Sequence, residues 1–189
     1  MKMSKQSVTR FGLLFLTLSL FGLAFQPADW ETYISKEGKF SIHVPGSLTE
    51  QLDTAQTAIG PVICHNLFYH HKTDTTQSLY TVSYCDYPAA TLHSDSTELV
   101  EDYFASTVEA MQNSLGGELL YQASDQVHQY PAHLWKISYD KDEKAAKFKT
   151  IIVNNRLFVL QVRTTNHPIT RKGANRFLNS FRVLRNKEG

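Results

Sequence analysis

Cysteine is scarce in this chain, two in 189 residues, and neither stands in a Cys-x-x-Cys or zinc-ligand spacing. There is also no Gly-x-Ser-x-Gly elbow and no glycine-rich phosphate loop. These absences remove the linear signatures of thiol oxidoreductases, common serine hydrolases and P-loop nucleotide enzymes. Low-complexity tracts and internal repeats are missing. No apolar run approaches the twenty or so residues needed to cross about 30 Å of hydrocarbon as a helix. Basic residues are absent from Thr73 to Trp135, a stretch that holds nine acids, whereas Lys136 to Gly189 has thirteen basic residues against four acidic. The net charge is only +1, so an electrostatic footprint for nucleic acid is not present.

The one sustained apolar run, Phe11 to Ala24, is uncharged, fourteen residues long and preceded by Lys2, Lys5 and Arg10. Its length and flanks predict a signal peptide, with small residues at Gly22 and Ala24 placing cleavage after Ala24. An uncleaved N-terminal anchor is the alternative. Residues 25–189 then make one domain, long enough for a single core, with 16 basic and 18 acidic side chains. The implied destination is the periplasm or the medium.

Val62 to His70 and Leu79 to Tyr87 are rich in aromatic and β-branched residues and flank a polar run, which predicts a long hairpin. A turn centred in that run pairs residues whose numbers sum to 149. One face then carries Tyr69 with Tyr80, Leu67 with Val82 and His65 with Tyr84, and the other carries Cys64 opposite Cys85. In an exported chain this register predicts a Cys64–Cys85 disulfide, with two buried free thiols as the alternative. Because adjacent strand residues point to opposite faces, a Cys64–His65 catalytic dyad is disfavoured.

Trp30–Ile34 and Lys39–Val44 read as short strands around a Ser35–Gly38 turn, with Gly38 expected at positive φ. Val100, Phe104, Val108, Met111 and Leu115 form an apolar stripe at helical spacing. An Asp95/Glu98 capping box opens that helix and Gly116-Gly117 closes it. Strands are expected at Glu118–Val127, Ala132–Tyr139 and Phe148–Val153, and a tight Asn154-Asn155 turn leads into Leu157–Val162, apolar enough to be central and covered on both faces. Thr170–Ser180 reads as a second helix with Ala174 and Phe177 inward. The fold class is therefore α+β, an antiparallel sheet flanked by helices.

Glu37–Gly46 (EGKFSIHVPG), Tyr80–Pro88 (YTVSYCDYP), Arg156–Val162 (RLFVLQV) and Arg176–Phe181 (RFLNSF) resemble successive landmarks of exported bacterial PsbP-like domains, a group similar in fold to the extrinsic PsbP protein of photosystem II and to the Ran-binding Mog protein. The resemblance implies an α/β/α sandwich acting as a non-catalytic binding or accessory module. No ligand residue carries over with it.

His70-His71 beside Asp74, and His93 beside Asp95, are the only histidine clusters. Neither has a recognised metal spacing, so no metal or other cofactor is expected. Loops at 71–77, 88–94 and 140–149 are candidate contact surfaces. Arg171, Lys172, Arg176, Arg182 and Arg185 form a candidate basic surface for an anionic partner or membrane. The function read from the sequence is an envelope accessory protein with an unidentified partner; the alternative is a small-molecule binder or weak hydrolase with a loop-built site.

Overall fold

The computed structural model describes residues 30–57, 59–72, 76–165 and 168–184. The expected signal segment with its Ala24 boundary, Asp74, Arg185 and the side chain of Arg171 lie outside the described residues.

Seven antiparallel strands form the main sheet: β3 (Thr49–Thr57), β4 (Gly60–Lys72), β5 (Gln77–Asp86), β9 (Arg156–Thr165), β8 (Lys144–Val153), β7 (Tyr130–Tyr139) and β6 (Glu118–Val127), in that spatial order. The β4–β5 register pairs Cys64 with Cys85, His65 with Tyr84, Leu67 with Val82 and Tyr69 with Tyr80, the alternation read from the sequence. Strand β9 is the fourth of the seven, and its Leu157, Phe158, Leu160 and Val162 are all buried because both of its faces are covered.

One face carries α1 (Thr97–Leu115), whose Val100, Phe104 and Val108 meet the sheet while Trp135 stacks on Phe148 beneath it. The opposite face is shared. Helix α2 (Pro168–Ser180) lays Ala174, Phe177 and Leu178 on it, and a small second sheet of β1 (Glu31–Ser35), β2 (Phe40–Val44) and β10 (Arg182–Val183) lays down Phe40, Ile42 and Val44. The expected helix-flanked sandwich is thus corrected to a mainly antiparallel β fold with two helices, one on each face, because strands from the two ends of the described chain take space a helix would have filled. No helix among the described residues is long and apolar enough to cross a membrane.

Other local expectations shift. The capping box is not formed: Ser96 is the N-cap, without a side-chain cap bond, which puts Leu99 rather than Glu98 at the third helical position. Gly116 does close the helix in the left-handed conformation, φ 56°. In the β1–β2 turn the positive φ, 54°, belongs to Lys39 and not to Gly38. Gly38 is needed for space instead, since a Cβ there would lie 2.6 Å from the Phe40 ring and 2.8 Å from Ser35 Oγ. Strand β8 begins at Lys144, four residues earlier than expected, so much of the lysine-rich segment read as a loop is sheet. The turn is confined to residues 140–143, of which Asp140, Lys141 and Asp142 are at positive φ. Strand β7 likewise starts at Tyr130, with the turn at His128, φ 56°.

Candidate functional site

The β1–β2, β6–β7 and β8–β9 turns and β10 surround an open cleft of about 670 Å³ at one end of the two sheets. Arg156 and Asp86 face each other at the ends of β9 and β5, which places them on its wall. The Arg156 Nε and Nη2 donate to the two Asp86 oxygens at 2.6 Å each, and Nη1 donates to the Glu37 carbonyl at 3.0 Å. The guanidinium lies 4.9 Å from the centroid of the Tyr84 ring, on which His65 stacks at 4.4 Å. His65 in turn meets Glu50 of β3 through Nδ1 at 2.9 Å and Glu37 of the β1–β2 turn through Nε2 at 3.5 Å. Glu37 is therefore held twice, once by its carbonyl and once by its carboxylate. The cluster ties the small sheet to the large one. The sequence placed His65 on the Tyr84 face but gave no sign of Glu37, Glu50 or Arg156 around it, since these come from three other elements.

The Arg156 hydrogen bonds hold the Asp86 carboxyl below its usual value. Burial first, and then the Glu37 and Glu50 carboxylates, push the Tyr84 phenol up to about 12. The folded protein thus binds that proton more tightly than the unfolded chain does. The stability this contributes is complete below about pH 10 and is lost as pH rises towards 12. Wild type is expected to lose more stability between pH 9 and 11 than Tyr84→Phe, by on the order of 1 kcal/mol, read from urea midpoints. Equal slopes would remove Tyr84 from the account.

Cys64 and Cys85 lie on the opposite face from His65, under the first half of α1, with Cα atoms 4.4 Å apart and their sulfurs bonded. That separation is the one expected of a non-hydrogen-bonded strand pair. The remaining histidine pairs do not converge: His93 Nδ1 sits 3.6 Å from Asp95 at an exposed turn, and among the described residues no three metal-ligating side chains form a group.

The candidate basic residues do not make one surface by themselves. Lys172 is exposed, the Arg176 guanidinium lies 4.6 Å from the Trp30 ring centroid, and Arg182 Nη1 donates to the carbonyls of Asn179 and Phe181 at 2.8 Å each. The structure adds Lys136, Lys147 and Lys149, which the sequence reading left in a strand and a loop.

A mainly antiparallel sheet whose two faces carry one helix each, with a small sheet sharing one of those faces, defines a PsbP-like fold. Among solved structures the chain is similar to cyanobacterial PsbP, CyanoP, from Synechocystis sp. PCC 6803, with a TM-score of 0.56 and 10% sequence identity over 85% of this chain and 95% of that one. No protein-family model and no curated protein matches the chain. At such identity the likeness is one of fold.

Proposed function

We propose that this chain is an exported, non-catalytic accessory protein whose residues 25–189 act as one binding domain in the periplasm or medium, with residues 1–24 removed as a signal peptide. The observation that carries the reading is how the cleft's charges are used. Of the three charged side chains that line it among the described residues, Asp86 and Arg156 are locked to each other and only Lys39 is left to a ligand. A bidentate pair of this kind holds shape; it does not pass protons at neutral pH. The Cys64–Cys85 bond fits an oxidising compartment, and the PsbP-like fold fits an accessory role.

A second reading, a small-molecule binder or weak hydrolase, is favoured by the cleft's volume, which lies within the range of ligand sites. One experiment addresses both. Tagged protein is recovered from the extracytoplasmic fraction, its intact mass is measured, and co-purifying proteins are compared between wild type and Lys39→Glu. A mature chain starting at Phe25, with a partner captured by wild type and lost from the variant, is the expected result. A full-length membrane-embedded chain starting at Met1 would overturn cleavage and leave residues 1–24 as an N-terminal anchor. A partner set indifferent to Lys39 would turn the cleft over to the small-molecule reading.

A further inference from the structure

The two edges of the main sheet are finished differently. At β6 the ladder is broken by a bulge between Leu119 and Tyr121, an irregularity that discourages another strand from pairing. At β3 the ladder to β4 runs without a shift from Thr49 opposite Phe68 to Thr57 opposite Gly60, and the strand holds no lysine, arginine or proline. Thr49 to Thr54 are all exposed, so neither a helix nor the small sheet covers this edge. The two most exposed large apolar side chains among the described residues stand here, Leu52 at 62% and Ile63 of β4 at 64%. Leu52 pairs with His65 and Ile63 with Thr54, which makes them diagonal neighbours on one face of the sheet.

The direction of the free backbone groups follows from the cysteine pair. With Cα atoms 4.4 Å apart, Cys64 and Cys85 are a non-hydrogen-bonded pair, so the Cys64 N–H and C=O turn to Asp53 on the other side. Strand groups alternate in direction, and those of Glu50, Leu52 and Thr54 therefore point out of the sheet. The Thr54 N–H donates to the Asp53 carboxylate at 2.7 Å, as a donor that β4 does not use can.

We propose that this edge is a dimer interface, in which β3 pairs antiparallel with β3 of a second copy about a two-fold axis at Leu52. Any extended strand would satisfy the outward groups; what selects the same strand is its self-complementary register. Centred on Leu52, the pairing sets leucine against leucine, Glu50 against Thr54 and Asp53 against Gln51, so that no carboxylate faces another. Centring on Glu50 or Asp53 opposes like charges, and centring on Gln51 or Thr54 sets Leu52 against Glu50 or Gln56. Only the Leu52 register joins the two apolar patches into one seam, with Ile63 of each copy at its ends. The Thr54 N–H exchanges the Asp53 carboxylate for a carbonyl of the second copy. Two seven-stranded sheets become one continuous sheet with both small sheets on the same face. The seam is short, so a dissociation constant of about 10 to 100 μM is expected, in the class of small, transient interfaces. This goes beyond the accessory reading and uses an edge separate from Lys39, so its test and the capture with Lys39→Glu fail independently.

Sedimentation velocity of the purified protein at about 5 and about 200 μM is expected to show monomer passing to dimer and no further. Thr54→Pro removes an outward donor and leaves every β3–β4 hydrogen bond in place; it is expected to weaken dimerisation at least about tenfold with little change in urea midpoint. Leu52→Lys, which opposes two ammonium groups at the axis, is expected to do the same, and it decides the matter if the proline variant does not fold. Leu120→Lys, on the bulged edge, is expected to change dimerisation less than about twofold. Oxidation is expected to link Leu52→Cys to its copy and to leave Gln56→Cys unlinked, because only the former places its two sulfurs at the axis. The proposal is overturned by a wild type that stays monomeric at the higher concentration, or by Thr54→Pro and Leu52→Lys variants that dimerise like the wild type. Equal crosslinking of the two cysteine variants would overturn the register. Growth beyond the dimer would overturn the two-fold pairing in favour of an open-ended β3–β6 contact.

Discussion

Phe40→Ala is expected to cost about 4 kcal/mol of stability, the middle of the range for a buried aromatic truncation. Phe40 is fully buried, and its ring lies 5.5 to 6.1 Å from those of Phe181, Phe158, Tyr84 and Tyr33. Those four partners belong to the segment after α2, to two strands of the main sheet and to β1. Removing the ring therefore opens a cavity at the junction of both sheets and the C-terminal segment, where surrounding side chains are fixed by different elements and cannot collapse inwards together. Lys39 and Gly38 precede Phe40 in the chain, so the cleft wall should loosen with it. Chemical denaturation reads the stability change. A loss below about 1 kcal/mol would mean that the small sheet is not anchored through this ring.

Replacing both cysteines by alanine is expected to lower stability by about 3 kcal/mol. The loop closed has a sequence separation of 21, for which chain-entropy reasoning gives that figure. Two features pull in opposite directions. Strands β4 and β5 are each paired on both sides, so the native state keeps the cysteines adjacent without the bond, but Cys64 packs with Val62, Leu92 and Phe104, and truncating it leaves a small void beside α1. The comparison that separates the two is wild type with and without reductant, which removes the bond and keeps the volume. If the reduced protein matches the oxidised one in urea midpoint, the crosslink does not constrain the unfolded chain. If the double alanine variant falls well below the reduced wild type, packing around Cys64 carries the difference.

The parts of the fold legible in the sequence are those whose information is local. The β4–β5 register followed from two apolar strands around one polar turn, the α1 stripe from a 3.6-residue period, and the central place of β9 from its apolar residues on both faces. What escaped was set by distant partners. Lys147 read as a loop lysine because polar residues interrupt the apolar pattern of β8, and only its neighbours Lys136 and Asn175 show it to be a sheet residue on the face that carries α2. Glu37 and Glu50 were unremarkable surface acids until the small sheet brought the first over His65 and β3 brought the second beside it. The five C-terminal basic residues looked like one surface because they are close in sequence, yet Arg176 turns to Trp30 and Arg182 to backbone carbonyls. The capping box failed for a subtler reason: its residue types were right, but the helix began one residue late.

The small sheet joins strands from both ends of the described chain. Phe40 of β2 pairs with Val183 of β10, and the Leu184 N–H donates to the Lys39 carbonyl at 2.8 Å, so nearly the whole sequence must be made before that edge can close. The main sheet has the same property at its middle, where β5 pairs with β9 across some eighty residues. Contacts of such long sequence separation form slowly, since the intervening chain must be brought together before they contribute. A growing chain still attached to the ribosome short of residue 182 therefore lacks the last strand of one sheet and stays open to proteases.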